Sequence, residues 1–112
     1  MVSHSELASR AAAVAAALAE LDVGRADRVL IMLPAGPGFV EAFIGVTQRG
    51  AMPLPVNPRL AAAGVAAIAA ETGARLVLAS AKRIRRLADL GAEPPVLVDG
   101  RRGLWALALR LP

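Results

Sequence analysis

Residues 27–60 read DRVLIMLPAGPGFVEAFIGVTQRGAMPLPVNPRL, and their interpretation decides the fold. Val29 to Leu33 is an unbroken apolar run, too short for a helix and rich in strand formers, which suits a strand buried on both faces. Pro34, Gly36, Pro37 and Gly38 interrupt it. Phe39, Val40, Phe43, Ile44 and Thr47 then recur at helical spacing, and that spacing predicts the helix's apolar face, with Gly50 as its stop. A second short run, Met52 to Val56, follows and ends at Asn57-Pro58. Strand, helix and strand in this order form a βαβ unit with parallel strands.

The same periodicities extend to both sides. Upstream, Ser3-x-x-Glu6 fits a capping box at a helix start. Leu7, Ala11, Val14, Leu18 and Leu21 form one apolar stripe, with Glu6, Arg10 and Glu20 outside it and Gly24 as the end. Downstream, Leu60, Gly64, Val65 and Ile68 mark the inner face of a third helix ending at Gly73. Its start, Ala61-Ala62-Ala63-Gly64, has no capping side chain, a loss of about 1 kcal/mol. Arg75–Ser80 reads as a third strand. Ala81–Gly91 reads as a short basic helix with Ile84, Leu87 and Ala88 inward, and Pro95–Val98 as a fourth strand. Pro53 and Pro55 cannot donate ladder hydrogen bonds, so the strand that holds them belongs at a sheet margin. The alternation predicts an α/β fold: a layered, mostly parallel sheet with flanking helices, over residues 1–100. Residues 101–112 are expected to form a short irregular tail, with Trp105, Leu104, Leu107 and Leu109 as a basic amphipathic alternative.

Composition narrows the functions open to the chain. Its 112 residues hold one small domain, 56% hydrophobic but only 3% aromatic. There is no cysteine, no tyrosine and a single histidine, His4, which excludes disulfides, thiolate chemistry and most nucleophile–base pairs. A lone histidine without clustered carboxylates is no metal site. The mean hydropathy is +0.55, yet the longest uncharged runs fall short of the ~18 apolar residues a membrane span needs. The net charge is +4, and twelve of the thirteen basic residues are arginine. Lys82, Arg83, Arg85 and Arg86 cluster, but no aromatic residues alternate with them to stack bases. A solvated helix face is therefore the expected reading, and any nucleic-acid binding would be non-specific and salt-sensitive. Gly36-x-Gly38 at a helix start offers free N–H groups to an anion. Pro37, its φ already set for the first helical turn, explains the same residues without a ligand.

Several ordered motifs carry a family resemblance. D-R-V-x-I-x-L-P, F-V-x-A-F-x-G and R-G-A-x-P-L-P-V-N-P-R-L, in this order, resemble the N-terminal region of adenylate-forming (AMP-binding) enzymes, and most nearly that of acid–CoA ligases, or fatty-acyl-CoA synthetases. Ser3 to Ala11 (SHSELASRA) is similar to the family's opening element, and Ala74 to Ser80 (ARLVLAS) to a later strand. The resemblance spans about residues 3–80 and stops from Arg101. It implies a partial N-terminal subdomain of an enzyme that uses ATP, Mg and coenzyme A to activate a carboxylic or fatty acid.

The parts that perform adenylation in that family are missing from these residues. No T-S-G-T-T-G-like phosphate loop is present, and the only lysine, Lys82, follows no glycine-rich loop. The chain alone is therefore expected to be inactive, with no catalytic residue, no metal site and no cofactor of its own. One family role maps onto a residue. The arginine of N-P-R, Arg59, is implied as a contact for a coenzyme A phosphate, which suits a guanidinium fork. The other reading of Arg59 is a solvent-exposed cation at a helix start. Glu6 offsets Arg10 ahead of the weakly apolar Ala11–Ala19 run, so export is not expected and the cytoplasm is the default. The resemblance implies a role in fatty acid metabolism, and a parallel sheet that needs both faces covered implies a complementing chain or self-association. A stand-alone, non-catalytic α/β interaction or ligand-binding module is the alternative.

Overall fold

A computed structural model describes residues 3–91, 96–97 and 107–110. The elements are α1 (His4–Glu20), β1 (Arg28–Met32), α2 (Pro37–Gln48), β2 (Met52–Pro55), α3 (Ala62–Thr72), β3 (Leu76–Ala79) and α4 (Ala81–Leu87). A 3₁₀ turn (Ala88–Leu90), β4 (Val96–Leu97) and β5 (Leu107–Arg110) follow. The five strands form one sheet in the order β2-β1-β3-β5-β4. β1 lies between β2 and β3 and is parallel to both, with Val29 opposite Pro53 on one side and Leu76 on the other. The α/β layered architecture read from the sequence is the one observed.

Alternation along β1 explains why helices cover both faces. Val29, Ile31 and Leu33 pack with Leu76 and Leu78 beneath Val14 and Leu18 of α1 and Ala42 and Val46 of α2. Leu30 and Met32 pack with Val77 and Ala79 against Val65 of α3 and Ile84 and Leu87 of α4. A strand with both faces buried must be apolar along its buried length, as Val29–Met32 are after the exposed Arg28. β2 is the margin strand, as its prolines require. Met52 and Val56 donate backbone N–H groups to Asp27 and Ile31 carbonyls at 2.8 and 3.0 Å. The two-residue period therefore turns Pro53 and Pro55 to the outer edge, where a missing donor costs nothing and further strand pairing is discouraged. Ser3 caps α1, its Oγ accepting the Glu6 N–H at 3.1 Å. α3 begins at Ala61 with no capping side chain and ends at Gly73, whose φ of 74° is the left-handed turn a glycine favours.

The structure corrects four expectations. α1 ends at Glu20, ahead of Gly24. α2 buries Glu41, Ala42, Gly45 and Val46, and leaves Val40 and Phe43 about two-fifths exposed. The cause is a close helix approach. A Cβ at Gly45 would lie 2.6 Å from Val14 Cγ1 and 3.0 Å from the Ala11 carbonyl oxygen, so the small face of α2, not the large one, meets α1. The same approach buries Arg10, expected outside the stripe. Arg10 and Val14, one turn apart on α1, meet Glu41 and Gly45, one turn apart on α2. The Arg10 guanidinium donates to Glu41 Oε2 at 3.3 Å, with side chains 8% and 0% exposed. Finally, Leu107–Arg110 of the expected irregular tail forms β5, which pairs antiparallel with both β3 and β4. Trp105 lies outside the described residues.

Candidate functional site

The parallel strands β1, β2 and β3 point their C-terminal ends the same way, toward the turns that lead into α2, α3 and α4. Because β1 is central, its chain leaves to one face while those of β2 and β3 leave to the other. Open α/β sheets bind ligands outside the carboxyl ends of strands at such reversals. A cleft of about 280 Å³ lies at the carboxyl end of β1 on the face of α3 and α4, lined by Met32 at the end of β1, by Arg59, Leu60, Ala61 and Ala62 before and at the start of α3, and by Arg83, Arg86 and Leu87 of α4.

Local structure fixes each arginine. Asn57 Oδ1 accepts the Arg59 backbone N–H at 2.9 Å, and the Leu60 N–H donates to the Asn57 carbonyl at 3.1 Å. This Asx turn, stiffened by Pro58, holds Arg59 at the entrance of α3. Arg59 is exposed, as its alternative reading required, and it also lines the cleft. On α4, Ile84 and Leu87 anchor the helix in the core, so Arg83 and Arg86, three residues apart, share the flank turned to the cleft. Ser80 steadies the start of α4, its carbonyl accepting the Ile84 N–H at 2.9 Å.

Charge in the cleft has one sign. Among the described residues the ion pairs are Arg10–Glu41 and Arg75–Asp27, so Arg59, Arg83 and Arg86 have no carboxylate partner there. No acidic residue lines the cleft among the described residues. Three guanidinium groups with an apolar floor of Met32, Leu60 and Leu87 suit an anion that accepts several forked hydrogen bonds. A larger hollow of about 440 Å³ lies near the N-terminal end of β3, lined mainly by Ala66, Ala69, Ala70, Gly73 and Ala74. Its one charged lining residue among the described residues, Arg75, is paired with Asp27 at 3.1 Å, and that hollow offers little chemistry. Asp27 is held below its usual carboxylate range by the Gly24 N–H, which donates to it at 2.8 Å, and then by Arg75.

The remaining sequence candidates lie elsewhere. Gly36 opens α2 with Pro37 in its first turn and no side-chain cap. His4 is exposed at the start of α1. No group of three metal-ligating side chains occurs among the described residues, and no described helix is long and apolar enough to cross a membrane. The sequence reading placed Arg83 and Arg86 on a solvated helix face. Their three-residue spacing was visible, but the proximity of α4 to the Asn57-Pro58-Arg59 turn was not.

Comparison with known proteins is consistent along the chain. A sequence model of the family described as AMP-binding enzyme matches residues 1–105, further than the motif run from 3 to 80 and into the segment after Arg101 where the resemblance was read to stop. The chain is 34% identical over 107 residues to the long-chain-fatty-acid–CoA ligase FadD13 of Mycobacterium tuberculosis, covering 94% of this chain and 21% of that protein. It is 40% identical over 98 residues to a 4-coumarate–CoA ligase-like protein of Oryza sativa subsp. japonica, covering 87% and 16%. Among solved structures it resembles the N-terminal domain of FACL13 from Mycobacterium tuberculosis, with a TM-score of 0.67, 29% identity, and coverage of 80% of this chain and 23% of that one. The chain thus spans about a fifth or less of the length of the curated relatives it matches.

Proposed function

We propose a function on one premise: the chain belongs to the AMP-binding enzyme family. It corresponds to a partial N-terminal segment of an acid–CoA ligase, an enzyme class that activates a carboxylic or fatty acid with ATP and Mg and transfers it to coenzyme A. Within that enzyme this segment supplies a wall of the coenzyme A site, with Arg59 contacting a phosphate. The observation that carries this is the position of Arg59, held by its Asx turn in an arginine-lined cleft at the carboxyl end of β1. These residues alone do not adenylate. They hold neither a phosphate loop nor a lysine placed to orient the attack, and catalysis of nucleotidyl transfer depends on that charge neutralisation and positioning. The purified chain should release no pyrophosphate from ATP in a carboxylate-dependent manner; turnover well above a buffer control would overturn the reading.

We read the place of action as the cytoplasm and the metabolic setting as fatty acid activation; membership of the family supports both readings. The partner is the remainder of a ligase, because the chain spans only 21% of a curated relative and α2 turns Val40 and Phe43 outward. One observation favours the alternative of a self-sufficient, non-catalytic module: β1 and β3 are buried on both faces by the chain's own helices. A monomeric chromatographic peak with no binding of a dye for apolar surface would favour that module; self-association or aggregation would favour the segment.

A further inference from the structure

The cleft concentrates more cationic charge than the assignment of Arg59 alone requires. We propose that Arg83 and Arg86 of α4 join Arg59 to form a complete grip for a phosphomonoester dianion within this chain, which therefore binds the phosphate end of a coenzyme A-like nucleotide without the rest of the enzyme. This rests on the reading of Arg59 given above and adds two binding residues to it. Three cations arranged around about 280 Å³, with no carboxylate among the described lining residues, repel one another, and a dianion turns that repulsion into attraction. The arginines come from two elements that line the same cleft, the Asx turn before α3 and the flank of α4. Met32, Leu60 and Leu87 keep the floor apolar, which strengthens charged hydrogen bonds made above it. A small phosphomonoester fits better than nucleic acid, since the lining is concave and its described residues include no aromatic side chain for base stacking.

The test is equilibrium binding of adenosine 3′,5′-bisphosphate to the full chain, with adenosine as the phosphate-free control. Arg85, exposed on the same helix but absent from the cleft lining, provides a variant that loses equal charge. Arg83→Ala and Arg86→Ala should each weaken binding by about tenfold or more, the loss expected for a hydrogen-bonded charged partner. Arg85→Ala should change it by less than about threefold, as for an exposed, screened charge. Arg83→Lys should restore only part of the affinity, because it returns charge without the fork. Circular dichroism confirms that each variant is folded. If Arg59→Ala alone weakens binding, the two-element grip is wrong while the reading of Arg59 stands. If Arg85→Ala costs as much as Arg83→Ala, the attraction is diffuse and the site is refuted. Equal binding of adenosine, or none of the bisphosphate, refutes it as well.

Discussion

Replacing Arg10 by methionine leaves a carboxylate stranded in the contact between α1 and α2. Glu41 is fully buried; its Oε2 accepts from Arg10 at 3.3 Å, and its Oε1 has no hydrogen-bond partner among the described residues. At an effective dielectric of ~20, unit charges this far apart attract by roughly 5 kcal/mol. In the native pair that attraction offsets the cost of removing both groups from water. Without Arg10 only the cost remains, and Arg10→Met should destabilise the fold by about 3–5 kcal/mol. For a domain stable by ~5–15 kcal/mol this is a large share. Glu41→Leu should cost less, about 1–2 kcal/mol, because the long Arg10 stem lets its head reach water. The double variant Arg10→Met/Glu41→Leu should return to within ~1 kcal/mol of the parent, as buried ion pairs replaced by apolar groups of similar volume often do. Urea unfolding of all four proteins by far-ultraviolet circular dichroism completes the cycle, with a constant m-value confirming that the same surface unfolds. A loss below ~1 kcal/mol in Arg10→Met, or additive single effects, would refute the claim that the two charges meet in a desolvated contact.

Gly45→Ala should destabilise by about 1–2 kcal/mol despite alanine's better helix propensity, because the added Cβ would sit 2.6 Å from Val14 and overpacking outweighs propensity; a raised melting temperature would contradict the close approach. Asp27 is ionised more readily folded than unfolded, so its contribution is present above about pH 4 and lost as the pH falls through its lowered folded value. Asp27→Asn should therefore shrink the stability difference between about pH 7 and pH 3, and an unchanged acid limb in urea titrations would count against the Gly24 and Arg75 contacts. Val40→Ser with Phe43→Ser should reduce self-association of the chain in sedimentation or gel filtration while leaving its melt close to the parent's, since both side chains are about two-fifths exposed; unchanged association would place the contact elsewhere.

The α/β class was legible because it rests on local periodicity: the Val29–Leu33 run, the stripe of α1, and the proline and glycine punctuation between elements. Pro53 and Pro55 even fixed the place of β2 at the margin, since a missing N–H is a local fact with a global consequence. Arg59 was found through the N-P-R motif and its resemblance. What the pattern did not contain was distance between elements. In α2 both flanks of the helix are apolar enough to be inward, and the choice fell to Gly45, whose lack of a Cβ lets α1 come close and draws Glu41 onto Arg10. Likewise Arg83 and Arg86 read as a solvated face until β3, parallel to β1, carried α4 beside the turn that holds Arg59. The pairing of Leu107–Arg110 with β3 is also non-local, because strand hydrogen bonds are chosen by the neighbouring edge and not by the segment itself. Sequence alone located the helices and strands from α1 to α4, for their propensities are local. Tertiary packing decided which faces and charges meet, because that depends on atoms far apart in the chain.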